Sequence, residues 1–203
     1  LRGFALLSLV GVTLLYGLQI VGQSRTSAVN TGLLANTVPV FTALLAVTFL
    51  HQRIRPLGWL GIAVALVGAW LVSSGGLRLD VTDSSLLGDL LVLLSSLAAA
   101  LYFILGARLV RSYPPLVVTA AAATLGAATL GAATLLVIDL LAGGVNHWTW
   151  QAVATVVLLG IGPGLLANLW WWETVTWLDA GRAALYVYLI PLITMVFAVV
   201  LLG

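Results

Sequence analysis

Long runs of apolar residues dominate this chain, and short polar or charged segments separate them. The boundaries set by charge, proline and glycine clusters predict seven helices, near residues 4–24, 27–50, 56–74, 86–108, 116–141, 151–173 and 181–203. A helix needs roughly 20 apolar residues to cross a bilayer. A membrane β-barrel would instead show short segments of alternating polarity. The pattern therefore predicts an all-α integral membrane protein, a polytopic helix bundle.

The composition agrees with a membrane location. Of the 203 residues, 62% are hydrophobic and only 7% are charged, whereas soluble domains carry about 25% charged residues. Cysteine is absent, so disulfide and thiolate chemistry are excluded. All eight basic residues are arginine, which is typical of a GC-rich prokaryotic genome. We therefore expect a multi-pass protein of a prokaryotic cytoplasmic membrane that binds lipid and no nucleic acid.

The arginines predict how the helices are oriented. With seven spans, six arginines fall on one side and two on the other. The larger group comprises Arg2, Arg53, Arg55, Arg108, Arg111 and Arg182, and the smaller group comprises Arg25 and Arg78. Because cytoplasmic loops are enriched in basic residues, the side with six arginines is predicted to be cytoplasmic. The first helix then runs outwards and the second returns.

Two segments of the chain resemble each other. Residues 27–50 and 179–202 align with seven identities in 24 positions, including Pro39 with Pro191 and Thr42 with Thr194. The first copy is predicted to descend towards the cytoplasm and the second to rise from it. The copies are therefore predicted to be inverted repeats. Inverted repeats with helices interrupted by proline at matching positions are typical of secondary transporters.

Three longer segments carry a family resemblance. They are "SRTSAVNTGLLANTVPVFTALLAVTFLHQRIRPLGWLGIAVALVGAWLV" (24–72), "GDLLVLLSSLAAALYFILGARLVRSYPPLVVTA" (88–120) and "LGIGPGLLANLWWWETVTWLDAGRAALYVYLIPLITMVFAVVLLG" (159–203). Their order resembles the EamA-type transporters of the drug/metabolite transporter superfamily. The resemblance implies ten helices in two inverted five-helix halves. This chain would be a fragment that holds helices three to nine, with residues 1–75 ending the first repeat and residues 76–203 beginning the second.

The chain departs from that family at the end of the first proline-containing helix. Family members often have a Gly-Glu step there, whereas this chain has His51 and Gln52. A member that lacks this acidic landmark is expected to differ in substrate class.

The candidate substrate-pathway residues are polar side chains or prolines deep within the predicted spans. They are Gln19, Asn36, Pro39, Tyr102, Asn168, Trp171, Tyr186, Tyr188 and Pro191. A buried amide or phenol needs a hydrogen-bond partner, and in a transporter the substrate can be that partner. The alternative is a hydrogen bond between helices, worth about 0.6 kcal/mol. For the prolines the alternative is a packing kink whose freed carbonyl a neighbouring helix satisfies.

Two further motifs concern backbone shape. "GIGPG" (160–164) concentrates glycine and proline within a predicted helix and indicates either a gating bend or a packing notch. "ATLGAATLGAATLL" (123–136) repeats small residues and predicts close approach by a neighbouring helix. His51 and His147 lie in loops on opposite sides, so no metal site is expected, and no cofactor is implied.

Several functions are consistent with this pattern of residues. The favoured hypothesis is a secondary transporter, an exporter or permease of small organic metabolites, which works by alternating access between two halves. The alternative is a non-transporting membrane scaffold or an inactive truncated product, and a homodimer stays open. A retinal photoreceptor is rejected because a Schiff base needs lysine. An intramembrane serine protease is disfavoured because both histidines lie in loops, so no enzyme activity is expected.

Overall fold

A computed structural model of the chain describes residues 2–73, 86–131, 149–189 and 193. Every regular element in these ranges is helical. The helices are α1 (Arg2–Gln23), α2 (Ala28–Ala35), α3 (Val38–Phe49), α4 (Pro56–Ser73), α5 (Leu86–Leu109), α6 (Pro115–Gly126), α7 (Trp150–Leu159), α8 (Ala167–Leu178) and α9 (Ala180–Tyr186). Three π-helical segments add to them, at Leu9–Leu14 within α1, at Ala127–Gly131 after α6 and at Gly160–Leu166 between α7 and α8.

The predicted helix bundle is confirmed in outline. Four helical stretches of the described chain are long and apolar enough to cross a membrane. They are Arg2–Gln23, Ala28–Phe49, Leu86–Leu109 and Val153–Leu178. Two shorter apolar helices, Pro56–Gly68 and Pro115–Leu130, fall at the third and fifth predicted spans. The sixth span is longer than predicted, because helix continues to Leu178 rather than ending near residue 173.

Helix α5 lies at the centre of the described bundle and contacts α1, α2, α3, α8 and α9. Glycines on the interacting helices allow this close approach. A Cβ at Gly11 would collide with the Tyr102 ring, and one at Gly106 would collide with Trp172. In a bilayer, where lipid is as apolar as leucine, such small-residue contacts supply much of the van der Waals attraction between helices.

The low-complexity segment at 123–136 covers the end of α6 and the π-helical segment that follows, and it packs closely against α1. A Cβ at Gly126 would meet the Val12 side chain of α1. The hydroxyls of Thr13 and Thr129 lie 2.7 Å apart, so the π-helical segment within α1 is hydrogen-bonded to the one that follows α6. The prediction of close helix approach at residues 123–136 is confirmed for the residues up to 131. The rest of that segment lies outside the described residues.

The first proline lies just after a break in the second predicted span. The stretch Ala28–Phe49 is long and apolar enough to cross a membrane, as predicted, but it consists of two α-helices rather than one. The chain leaves the α-helix after Ala35, turns through Asn36 and Thr37, and starts α3 at Val38. Pro39 thus occupies the first turn of a new helix, where its missing N–H costs little. The Leu34 carbonyl exposed by the break accepts hydrogen bonds from Thr37 Oγ1 at 2.6 Å and from Ser96 Oγ of α5 at 2.9 Å.

The second copy begins at the matching residue and breaks one residue earlier than the first. Helices α2 and α9 start at the aligned residues Ala28 and Ala180, and α9 ends in a turn at Val187 and Tyr188. In the first copy Asn36 N bonds Gly32 O and Thr37 N bonds Leu34 O, each at 3.1 Å. In the second copy both turn N–H groups bond carbonyls three residues back, as in Val187 N to Ala184 O at 3.2 Å. The described residues of both copies therefore share a short helix followed by a turn. Pro191 lies outside them.

Candidate functional site

A cavity of about 500 Å³ lies between α1, α5, α6, α8 and the end of α9. The two π-helical segments at Leu9–Leu14 and Gly160–Leu166 both contribute to its wall. Its larger and polar lining side chains are Leu15, Tyr16, Tyr102, Phe103, Thr119, Asn168, Trp171 and Val187. π-Helical segments occur frequently at functional sites, because the extra residue per turn reorients side chains and frees backbone groups.

Aromatic rings form one wall of the cavity. Trp171 and Phe103 have ring centroids 4.3 Å apart, and Tyr102 meets Trp172 edge to face at 5.2 Å. Trp172 is fully buried behind this wall against Gly106 and does not line the cavity. The wall therefore offers a flat apolar surface that a rigid tryptophan supports from behind.

A short chain of hydrogen bonds holds the wall to the π-helical segment before α8. Tyr102 Oη donates to Asn168 Oδ1 at 3.0 Å, and Asn168 Nδ2 donates to the carbonyls of Pro163 and Gly164, each at 3.1 Å. Asn168 therefore links the Tyr102 hydroxyl to the backbone of the π-helical segment.

Two polar groups on the cavity wall have no partner. Thr119 Oγ1 and Trp171 Nε1 are buried and make no hydrogen bond to the described residues. Other threonines of the bundle, such as Thr124 and Thr129, bond the carbonyl of the preceding helical turn. Buried polar groups are rarely left unpaired. Both atoms are shielded from the cavity as it stands, so a solute could pair with them only after the Thr119 and Trp171 side chains reorient.

The structure brings together three of the residues predicted from the sequence. Tyr102, Asn168 and Trp171 line the cavity. Thr119 also lines it but was not predicted, because a threonine in an apolar helix usually bonds its own backbone.

The other predicted residues lie elsewhere. Asn36 uses its Nδ2 to donate to Gly32 O at 2.8 Å, and Pro39 is packed in the core. Tyr186 is 58% exposed. Tyr188 Oη is buried without a partner among the described residues, next to the lining residue Val187. Gln19 is partly buried outside the cavity lining, and the substrate roles of these residues stay predictions.

The "GIGPG" motif forms the π-helical segment at the edge of the cavity. A Cβ built at Gly160 or Gly162 meets no described atom within 4 Å, so the described chain gives no support to a packing notch at these two glycines. Gly164 lines the cavity instead. The motif thus forms most of the π-helical segment that joins α7 to α8.

The described lining of the cavity carries no formal charge. It includes no Asp, Glu, Arg or His, and the described residues contain no group of three potential metal ligands. Its chemistry is aromatic contact and a few neutral hydrogen-bonding groups. Such a site suits an uncharged or internally compensated organic molecule.

Comparison with known proteins places these features in a family. The sequence profile of the EamA-like transporter family matches residues 1–74 and 86–203. An uncharacterized transporter of Archaeoglobus fulgidus is 32% identical over 196 residues, covering 96% of this chain and 65% of that protein. The uncharacterized transporter YyaM of Bacillus subtilis is 28% identical over 200 residues, covering 95% of this chain and 63% of that protein. The chain thus spans just under two thirds of the length of these relatives.

Two further relatives are informative. A probable terminal-alkyne amino-acid exporter of Streptantibioticus cattleyicolor is 27% identical over 208 residues, covering 100% of this chain and 66% of that protein. A protein of known crystal structure superposes with a TM-score of 0.72 over 98% of this chain and 79% of its own, at 19% identity, which shows the fold alone. With a family match over nearly all its residues, the chain belongs to the EamA-like transporter family.

Proposed function

We propose that the protein containing this chain is a secondary transporter of small organic solutes, and that the cavity between α1, α5, α6 and α8 is its substrate site. The observation that carries the proposal is the cavity of about 500 Å³ itself, which Tyr102, Phe103 and Trp171 line and whose described lining holds no charged side chain. Thr119 Oγ1 and Trp171 Nε1, on two of its lining residues, are buried without a partner among the described residues, and a solute that reorients these side chains would pair with both. Without a partner each group costs roughly 1–3 kcal/mol.

The cavity chemistry indicates the class of solute. A volume of about 500 Å³ falls within the usual range for small-molecule sites. The aromatic wall favours an apolar or flat body, and the lack of lining charge disfavours multivalent anions. A neutral solute or a zwitterionic one with an apolar side chain fits these features. The similarity to a probable amino-acid exporter supports amino acids among the candidates.

The two copies of the proline-containing segment suggest how access could alternate. The packed break at Asn36 belongs to the first copy, and the break at Tyr188 adjoins the cavity. The π-helical segment at Gly160–Leu166 adds a third irregular backbone at the cavity edge. Rocking of one repeat about such breaks would open the cavity to one side and then to the other.

The proposal is tested by flux measurements on the full-length protein in liposomes, over a panel of neutral, zwitterionic and anionic metabolites. We expect concentration-dependent flux of at least one neutral or zwitterionic solute. Trp171→Phe keeps an aromatic ring and removes the indole N–H, so flux at low substrate concentration should fall about tenfold. Trp170→Phe, at a position that is 69% exposed, is the matched control and should change little.

Two outcomes would contradict the proposal. The absence of flux across the panel, with the protein shown to be folded, would argue for the scaffold alternative. Equal losses in the Trp170 and Trp171 variants would show that the indole N–H in the cavity has no special role.

A further inference from the structure

A second cavity, of about 450 Å³, lies where the loop before α4 meets the start of α9. Three guanidinium groups belong to its wall, from Arg53, Arg55 and Arg182. Among the described residues of its wall none is acidic, and none of them also lines the central cavity. This arginine cavity therefore concentrates positive charge without a carboxylate of the lining to neutralise it.

The rest of the wall is apolar. Ile54, Leu57 and Leu185 line the same cavity, and Leu57, in the first turn of α4, is 77% exposed. The arginine cavity thus places cationic side chains next to an uncovered apolar surface. All three arginines belong to the group that the positive-inside distribution assigns to the cytoplasmic side.

Arginine clusters recognise phosphate groups in particular. The planar guanidinium donates two parallel hydrogen bonds to a phosphate, and it loses less hydration on binding than an ammonium group does. Basic pockets between helices at the cytoplasmic side of membrane proteins bind anionic lipid headgroups. A soluble phosphate could use the same guanidinium groups, but it would leave the Leu57 surface uncovered.

We propose that the arginine cavity binds a phosphate-bearing anion, and that this anion is the headgroup of an anionic membrane lipid whose acyl chain covers Leu57 and Leu185. The site adjoins the contact between the two copies, where Gln52 Oε1 accepts a hydrogen bond from Gly181 N at 3.0 Å. A bound headgroup would bridge Arg53 and Arg55 of the α3–α4 loop to Arg182 of α9. It would thereby hold the first repeat to the second at one membrane face.

The test is native mass spectrometry of the purified full-length protein in detergent, titrated with phosphatidylglycerol or with phosphatidylcholine of the same acyl chains. We expect preferential binding of phosphatidylglycerol. Each guanidinium near an anionic lipid accounts for roughly a fivefold change in affinity, so Arg53→Gln with Arg182→Gln should weaken binding roughly 30-fold. The matched control, Arg2→Gln with Arg111→Gln, removes the same charge from outside the cavity and should have a much smaller effect.

Two further arms separate the lipid from other sources of phosphate. Inorganic phosphate up to millimolar concentration should displace little phosphatidylglycerol, because it cannot replace the acyl-chain contact. If inorganic phosphate binds with the same arginine dependence and phosphatidylglycerol does not, the site belongs to a soluble phosphate and the lipid assignment is overturned. Equal binding of the two lipids, or equal losses in the two double variants, would overturn the site altogether. Arg182→Lys with Arg53→Lys keeps the charge and should restore part of the binding.

Discussion

The two copies of the repeated segment use the same backbone device in different surroundings. In the first copy the turn at Asn36 and Thr37 is closed by its own hydrogen bonds and by Ser96 from α5. In the second copy the turn at Val187 and Tyr188 lies beside the central cavity, and Tyr188 Oη is buried with no partner among the described residues. One break is packed, and the other adjoins open space.

This difference suggests that the repeat supplies a backbone break, and that the surroundings of each break determine its role. An interrupted helix provides free carbonyls and a change of direction. Where neighbouring side chains bond the free carbonyls, the break is packed. Where they do not, the carbonyls remain available to a solute. The comparison predicts structural effects for changes around the first break and at the contact between the copies, and functional effects for changes around the second.

The largest structural effect is expected where the copies touch. Gln52→Ala removes the side-chain acceptor for Gly181 N in the first turn of α9. Because one N–H at a helix start then loses its partner, the free energy of unfolding should fall by about 1 kcal/mol. Denaturation in detergent, followed by circular dichroism, measures the change. Gln52→Glu keeps an acceptor oxygen and is the control. If the alanine variant is as stable as the parent, the hydrogen bond from Gly181 N to Gln52 does not stabilise the fold.

A smaller effect is expected at the first break. Ser96→Ala removes the donor from α5 to Leu34 O and should cost about 0.6 kcal/mol, the average for hydrogen bonds between membrane helices. Ser95→Ala is the matched control, because its hydroxyl bonds Val92 O within the same helix. Transport should be unchanged in both. A loss of flux in the Ser96 variant without a loss of stability would contradict the division between the two breaks.

The smallest effect should be a gain. His51 has a φ of 53°, in the left-handed region that favours glycine. His51→Gly should therefore stabilise the fold, by roughly 0.5 kcal/mol after the greater chain entropy of glycine in the unfolded state is allowed for. The same denaturation assay measures it. A destabilised variant would indicate that the imidazole makes a contact worth more than the backbone strain.

The departure from the family's Gly-Glu step has a physical meaning in the structure. His51 occupies the left-handed conformation that the expected glycine would adopt without strain. Gln52 supplies the side-chain acceptor that a glutamate in the same place could supply. The sequence alone identified the unusual pair, but the backbone angle and the distant partner Gly181 became visible only in the fold.

The helices were predictable because apolar runs and their charged ends follow from bilayer thickness. The break at Asn36 was not predictable from the sequence. A proline in the first turn of a new helix and a proline in the middle of a long helix can have the same neighbours in sequence. Trp171 and Trp172 also differ in a way that the sequence hides. They are about 100° apart on α8, so only the packing decides which ring lines the cavity and which lies behind it.

The most direct test of solute binding in the central cavity is thiol labelling. It measures whether a water-soluble reagent reaches the cavity and whether a transported solute blocks that reagent. The chain has no native cysteine, so a single one can be introduced at Ala123, which lines the cavity, or at Val156, which is 62% exposed on α7 outside it. In liposomes, the Ala123→Cys variant should react with a charged, water-soluble thiol reagent. A transported solute should slow that reaction. The Val156→Cys variant should not react. Equal rates at the two positions, or no protection by a transported solute, would contradict the account.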